Sequence, residues 1–259
     1  MNRVITIASQ KGGVGKTTTV VNLGAWLALI GKKVLIIDLD SQRNAGHCLG
    51  LDQDNLNRGL KEVLFKQHPI DMAVYKTFIK NLDIVPSNII DIETEKSLIK
   101  NISEDEYLLR DSLDRMEQSY DFIFIDCPPA NLSLLILAIT AADSVILPLQ
   151  CEYMALSSMT KFLDTLTYVK EHFNKWIKLE GILITMYEEN TIYGRVIVQE
   201  AKTQFNSLLF NTIIPKNSRL SEASSLGRPV VLYDIKSKGS EAYLSFAKEL
   251  TQRYSKKIF

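Results

Sequence analysis

A chain of 259 residues, 46% apolar and 23% charged, is large enough to bury one sizeable α/β core and too apolar for disorder. Its 30 basic and 30 acidic side chains cancel, which speaks against an obligate nucleic-acid binder, yet residues 195–259 hold eleven basic against five acidic residues and form a candidate polyanion surface. Three cysteines without a C-x-x-C pair and three scattered histidines exclude a structural zinc site and suit a reducing, cytoplasmic compartment.

Met1-Asn2-Arg3 leads directly into an apolar strand signal at Val4, Ile5 and Ile7, with no charged-then-apolar leader. Residues 8–19, Ala-Ser-Gln-Lys-Gly-Gly-Val-Gly-Lys-Thr-Thr-Thr, form a turn that opens a helix predicted over 16–30 and stopped by Gly31. Gly12, Gly13 and Gly15 carry no Cβ, so consecutive N–H groups can curl around an anion. The helix start aims its positive end at the same point. The spacing predicts a phosphate-binding loop in which Lys16 reaches the β- and γ-phosphates and the Thr17 hydroxyl ligates Mg²⁺. The template G-x-x-x-x-G-K-S/T is broken at its first position, where Gln10 stands. Lys11 follows, and a second cation beside one triphosphate is redundant unless it serves another subunit's nucleotide.

A buried-type strand is predicted over 34–38, and the polar turn 40–46 should lie over the sheet's carboxyl edge. Residues 55–118 read as mostly helical with one short strand at 82–86. A further buried strand at 121–126 ends at Cys127-Pro128-Pro129, where two prolines stop any ladder. A helix at 132–142, a strand at 144–149 and a long helix at 155–173 follow. Strands at 179–185 and 208–214 flank another helix, and a last helix covers 239–254. The longest apolar run, 132–142, falls short of the ~18 residues that a membrane span needs. With no repeat and no linker, the alternation predicts a single domain over 1–259: an α/β P-loop NTPase with a mostly parallel twisted sheet and helices on both faces.

In such a sheet every parallel strand ends at the edge that receives the phosphate loop, so Asp38, Asp40 and Asp126 converge on one ligand. Asp126, after four apolar residues, suits the carboxylate that holds Mg²⁺ through water. Asp38 and Asp40 lie two apart. One can support the metal shell while the other orients the attacking water.

Five blocks carry a resemblance: Lys-Gly-Gly-Val-Gly-Lys-Thr-Thr (11–18), Leu-Ile-Ile-Asp-Leu-Asp-Ser-Gln (35–42), Asp-Phe-Ile-Phe-Ile-Asp-Cys-Pro-Pro (121–129), Gln-Cys-Glu-Tyr-Met-Ala-Leu (150–156) and Ile-Ile-Pro-Lys-Asn-Ser-Arg-Leu-Ser-Glu-Ala (213–223). In these the chain resembles the deviant-Walker ATPases of the ParA/Soj partition family, of the SIMIBI class. The resemblance implies that Lys11, Gly12, Gly13, Val14, Gly15, Lys16, Thr17 and Thr18 cradle ATP, with Pro215 and Asn217 framing the adenine. It implies Mg²⁺ held through Thr17, Asp38 and Asp126. Catalysis falls to Lys11, which crosses a homodimer interface to the partner's phosphates, together with Lys16 and Asp40. It further implies weak basal ATP hydrolysis, non-specific DNA binding through Arg219, stimulation by a ParB/Spo0J-type protein and a nucleoid-associated location.

Three positions depart from the family pattern. Ser41 stands where proline is usual and Arg43 where glycine is usual, both in the turn expected to sense the γ-phosphate. Near Asn190-Thr191 a DNA-contacting arginine is missing, and Arg195 is the nearby substitute. A membrane-positioning relative of the MinD kind is the alternative, but 253–259 offers no apolar-faced extension, so no stable membrane anchor is expected.

Overall fold

The computed structural model describes residues 2–255 apart from 67, 90, 130, 153 and 154. The last two fall inside the block quoted at 150–156, and of the tail 253–259, on which the expectation about a membrane anchor rests, residues 256–259 lie outside the described residues. Seven strands form one sheet: β1 Val4–Ile7, β2 Val34–Asp38, β3 Tyr75–Lys76, β4 Leu82–Val85, β5 Phe122–Asp126, β6 Ser144–Gln150 and β7 Lys178–Thr185. Their order is β3-β4-β2-β5-β1-β6-β7, parallel throughout except that the edge strand β3 runs against β4.

Side chains alternate across this sheet with the period of two that a strand imposes. Ile5, Val34, Ile36, Phe122 and Phe124 join one core; Val4, Leu35, Ile37, Ile123 and Ile125 join the other. The first face is covered by α1 Lys16–Leu29, through Val20, Leu23 and Leu27, and by the last helix, Lys238–Ser255, through Tyr243, Phe246 and Leu250. The remaining helices in chain order are α2 Asn44–Cys48, α3 Leu60–Lys66, α4 Ile92–Glu104, α5 Leu108–Asp114, α6 Leu132–Ala141, α7 Ala155–His172, α8 Ile192–Phe205, α9 Ser218–Ser225 and α10 Val230–Tyr233, which makes the last one α11. Of these, α6 and α7 seal the second face with Leu134, Leu135, Phe162 and Val169. Because both faces are covered, the central strands β2 and β5 read as continuous apolar runs that end in Asp38 and Asp126.

The strand expected at 208–214 does not form. Phe210 N donates to Ile182 O at 3.0 Å and Ile214 N to Ile184 O at 2.9 Å, so the segment does follow β7. Between those two bonds the ladder is broken, because the amides of Asn211 and Thr212 turn to the Glu249 carboxylate of α11, at 2.8 and 2.9 Å. Residues 55–118 are also less helical than expected, with 3-10 turns at Gln53–Asn55 and Ile70–Ala73 and the extra strand β3. The short helices α9 and α10 had no signal long enough to show a period.

Burial alone would raise the Glu249 carboxyl, but the Asn211 and Thr212 donors, with Arg253, overcome it and hold the group below the ordinary glutamate range. A depressed carboxylate stabilises the fold above its unfolded pKa and loses that contribution as pH falls through its folded value. Glu249→Ala should therefore cost about 1–2 kcal/mol at neutral pH by orphaning two amides, with a difference from the parent that shrinks below about pH 4, read by urea unfolding across pH.

Candidate nucleotide and metal site

The turn from β1 to α1 is held from both sides. Ala8 N donates to Ile146 O of β6 at 3.1 Å, and the buried Thr185 hydroxyl of β7 donates to Val14 O at 2.9 Å. Within it Gly13 and Gly15 sit at φ +74° and +88°, the left-handed region where a Cβ costs about 1–2 kcal/mol. Gly15 is also the N-cap of the 14-residue α1, and no side chain caps the helix. Its first-turn N–H groups and positive dipole end are thus left for an anion. At Gly12 a Cβ would meet Pro129 Cβ at 3.6 Å, an ordinary contact, so packing there does not require glycine.

Lys16 is 6% exposed and folds back so that its Nζ donates to Lys11 O at 3.1 Å. Burial pulls its ammonium below the ordinary lysine range, against the opposing fields of Asp126, Cys127 and Asp40. Register places Asp38 and Asp126 side by side at the ends of β2 and β5, both fully buried. The Asp38 oxygens are taken up by the amides of Asp40, at 3.0 Å, and Gly46, at 3.3 Å. Burial nevertheless pushes the Asp38 carboxyl up to about 7. Asp126 is different: neither carboxylate oxygen makes a hydrogen bond among the described residues. The Thr17 hydroxyl is near enough to ease its ionisation, but burial and then Asp38 hold it well above the usual carboxylate range.

Two buried oxygens without donors, beside a threonine hydroxyl and a cationic loop, fit a hard divalent cation. Asp40 lies beside the two buried carboxyls. Its Oδ1 accepts Gln42 N at 2.9 Å and its carbonyl accepts Arg43 N at 2.9 Å, closing the turn that begins α2. On the other flank, Met186 follows Thr185 with φ +53°, and its Cε is the nearest atom that a Cβ on Gly15 would meet, at 3.7 Å. Tyr187 then bridges to Pro215, two residues before Asn217. Asn217 caps the start of α9 in backbone position, and its Oδ1 is buried without a partner among the described residues. That oxygen is an open acceptor, of the kind an exocyclic amino group satisfies.

A family model described as an AAA domain matches residues 2–179. The sporulation initiation inhibitor protein Soj of Bacillus subtilis is 43% identical over 250 residues, covering 96% of this chain and 98% of that protein. The chromosome partitioning protein ParA of Myxococcus xanthus is 42% identical, covering 98% and 89%. The chain belongs to the Soj/ParA family. Among solved structures, the septum site-determining protein MinD of Pyrococcus horikoshii, complexed with Mg-ADP, superposes with a TM-score of 0.81 at 29% identity, over 96% of each chain.

Set against the family pattern, the departures acquire physical reasons. Gln10, where the P-loop template has glycine, donates from Nε2 to the Thr165 hydroxyl of α7 at 2.9 Å and ties the loop to that helix. Lys11 forms an ion pair with Glu152, which also accepts Gln150 Nε2. Glu152 gave no sequence signal of this role, nor did Met186 or Thr185. Arg43 adopts φ +57°, the conformation for which the family's glycine is suited. Gln53 supports it, its Nε2 donating to Arg43 O at 2.7 Å. Arg195 lies on the exposed side of α8 and donates to Glu189 O at 3.4 Å. Arg219 is not free: its guanidinium contacts Glu222 at 2.6 Å and Asp234 at 3.5 Å. The Tyr233 hydroxyl donates to the same Glu222 at 2.9 Å.

Replacing Arg43 by glycine should relieve left-handed strain and raise stability by about 1 kcal/mol, whereas Arg43→Val should lower it by at least as much. Urea midpoints of the two variants test this, and a loss of stability in Arg43→Gly would contradict the strain assignment.

Proposed function

We propose that this protein is an ATP-hydrolysing switch for DNA partition, which pairs with a second copy when ATP is bound and then holds DNA without regard to sequence. The observation that carries the reading is the orphaned, buried Asp126 carboxylate facing Lys16 and Thr17 across a glycine turn at a helix start. Membership of the Soj/ParA family and the Mg-ADP found on its MinD neighbour support ATP and Mg²⁺ as the pair that fills the site.

In this reading Lys16 leaves the Lys11 carbonyl for the β- and γ-phosphate oxygens, while amides of residues 12–18 wrap the anion. Thr17 and Asp126 would hold the cation, with Asp38 supporting them. Mg²⁺ held there would neutralise charge that develops on the phosphates during transfer. Asp40 accepts a hydrogen bond from the attacking water and orients it in line with the γ-phosphate. Asn217 Oδ1 accepts from the adenine amino group, and Pro215 packs against the base.

Lys11 gives the switch its dependence on a second copy. It sits on the rim, 27% exposed, and its partner Glu152 is 49% exposed, so their pairing is worth little in water. A phosphate on a facing protomer competes for Lys11 with more charge. Hydrolysis removes the γ-phosphate and loosens the pair. DNA then sees twice the number of cations on one face only while the pair lasts, which makes binding ATP-dependent and steep in salt. A ParB/Spo0J-type protein is the proposed stimulator, and a cytoplasmic, nucleoid-associated location follows from DNA binding. The MinD likeness also supports a second reading, membrane positioning with the same nucleotide chemistry; flotation with liposomes in ATP, without DNA retention, would favour it.

Lys16→Ala should abolish ATP binding in calorimetry, and Asp40→Ala should bind ATP yet release no phosphate, accumulating as a dimer in sedimentation. ATP turnover at the parent rate in Asp40→Ala would contradict its role. Because Glu222 and Asp234 neutralise Arg219, Glu222→Gln should tighten ATP-dependent DNA binding several-fold. Arg219→Ala should weaken binding equally for unrelated sequences and lower the salt slope by about one. A sequence-selective loss would rule out a phosphate contact.

A further inference from the structure

The proposed chemistry occupies the carboxyl edge of the sheet, and a cleft at the opposite edge takes no part in it. The cleft holds about 420 Å³ and lies between the 3-10 turn Ile70–Ala73 and α5. Its place is fixed by Asp71, which accepts the amides of Glu117 at 3.1 Å and Gln118 at 3.0 Å, just before β5 begins at Phe122. The lining falls into two parts. Val63, Pro69, Met72 and Leu108 are apolar, and Met72 is 55% exposed, a large side chain left in water with no part in the core. Asp71, Asp105, Asp111 and Glu117 supply four carboxylates against one guanidinium, Arg115, which approaches Asp111 only to 3.9 Å. His68 also lines the cleft, and its Nδ1 is buried with no partner among the described residues.

These features restrict the occupant. Four carboxylates repel nucleotides, nucleic acid and anionic lipid headgroups. Two of the four are already committed to backbone amides, Asp71 as above and Asp105 to Tyr107 N at 2.9 Å, so the set is not a cage for a bare divalent ion. An apolar floor with an acidic rim matches an apolar anchor side chain flanked by cations, the arrangement of a buried centre and polar margin that protein interfaces use. We propose that this cleft docks a lysine- or arginine-rich peptide segment of a partner protein, with one apolar side chain seated on Met72 and Leu108. The proposal does not depend on the nucleotide reading, because the two sites share no residue.

The full chain can be titrated against a fluorescein-labelled nonapeptide of four arginines around one leucine, by anisotropy. Saturable binding is expected, at least tenfold weaker in the Asp111→Asn, Glu117→Gln double variant and weaker as salt rises. Exchanging the leucine for glycine should weaken binding to the parent, and the exposed-site variant Met72→Ser should remove most of that difference. Equal binding to parent and double variant, or equal binding of a counterpart with glutamates for arginines, would overturn the proposal. Self-association of the parent that the double variant loses would also overturn it, since the occupant would then be a second copy. The Met72→Ser comparison keeps the test decisive should the double variant fold poorly.

Discussion

Everything at the carboxyl edge depends on charge that is buried with too few partners. Lys16 and Asp40 are 6% exposed, Asp38 and Asp126 not at all, and among the described residues neither Asp126 oxygen makes a hydrogen bond, the Thr17 hydroxyl lying nearby. Ionising a buried carboxyl without compensation costs several kcal/mol, which is why burial raises both Asp38 and Asp126, and such groups persist only where the surrounding structure dictates their place. Here the parallel register does so. Asp38 and Asp126 are Cα partners at the last step of the β2–β5 ladder, between apolar residues packed on both faces. The sheet that stabilises the molecule is therefore the device that holds two carboxylates together. In the proposed reading, a cation beside Asp126 and an anion at the start of α1 would supply the partners these groups lack.

The same edge connects to the surface through β7. Thr185 bonds the phosphate loop at Val14, Met186 lies beside Gly15, and Tyr187 bridges to Pro215, from which the chain enters α9 and reaches Arg219. The proposed nucleotide contact at Pro215 and Asn217 and the proposed DNA contact at Arg219 thus lie on one continuous segment that β7 links to the loop. The ion pairs on this surface, Lys216 with Glu188 at 2.8 Å and Arg219 with Glu222, reduce its positive field. A net positive count over residues 195–259 therefore overstates what a phosphate backbone would meet.

Most of this was legible in the sequence because its signals are short-range. Glycines, the Lys-Thr pair and apolar runs ending in aspartate fix the turn, the helix start and the strand ends without reference to distant residues. What was not legible depends on contacts between remote segments. The 208–214 run has strand composition, yet Glu249, some forty positions away, takes two of the amides a ladder needs. The Lys11–Glu152 pair and the Gln10–Thr165 bond join residues more than 140 positions apart, and no periodicity reports them. Arg219 was legible as a cation, but its neutralisation required Asp234 and Tyr233 to be brought beside Glu222.

The central claim is that Asp126 is kept ionisable for a cation at the expense of the empty fold, and thermal unfolding of Asp126→Asn with and without Mg²⁺ and an ATP analogue tests it most directly. Without ligands the variant should melt above the parent, since an uncompensated buried acid has been removed. With ligands the parent should gain stability in a Mg²⁺-dependent manner and the variant should not. A variant that melts lower when empty, or that keeps the full Mg²⁺-dependent gain, would contradict the account.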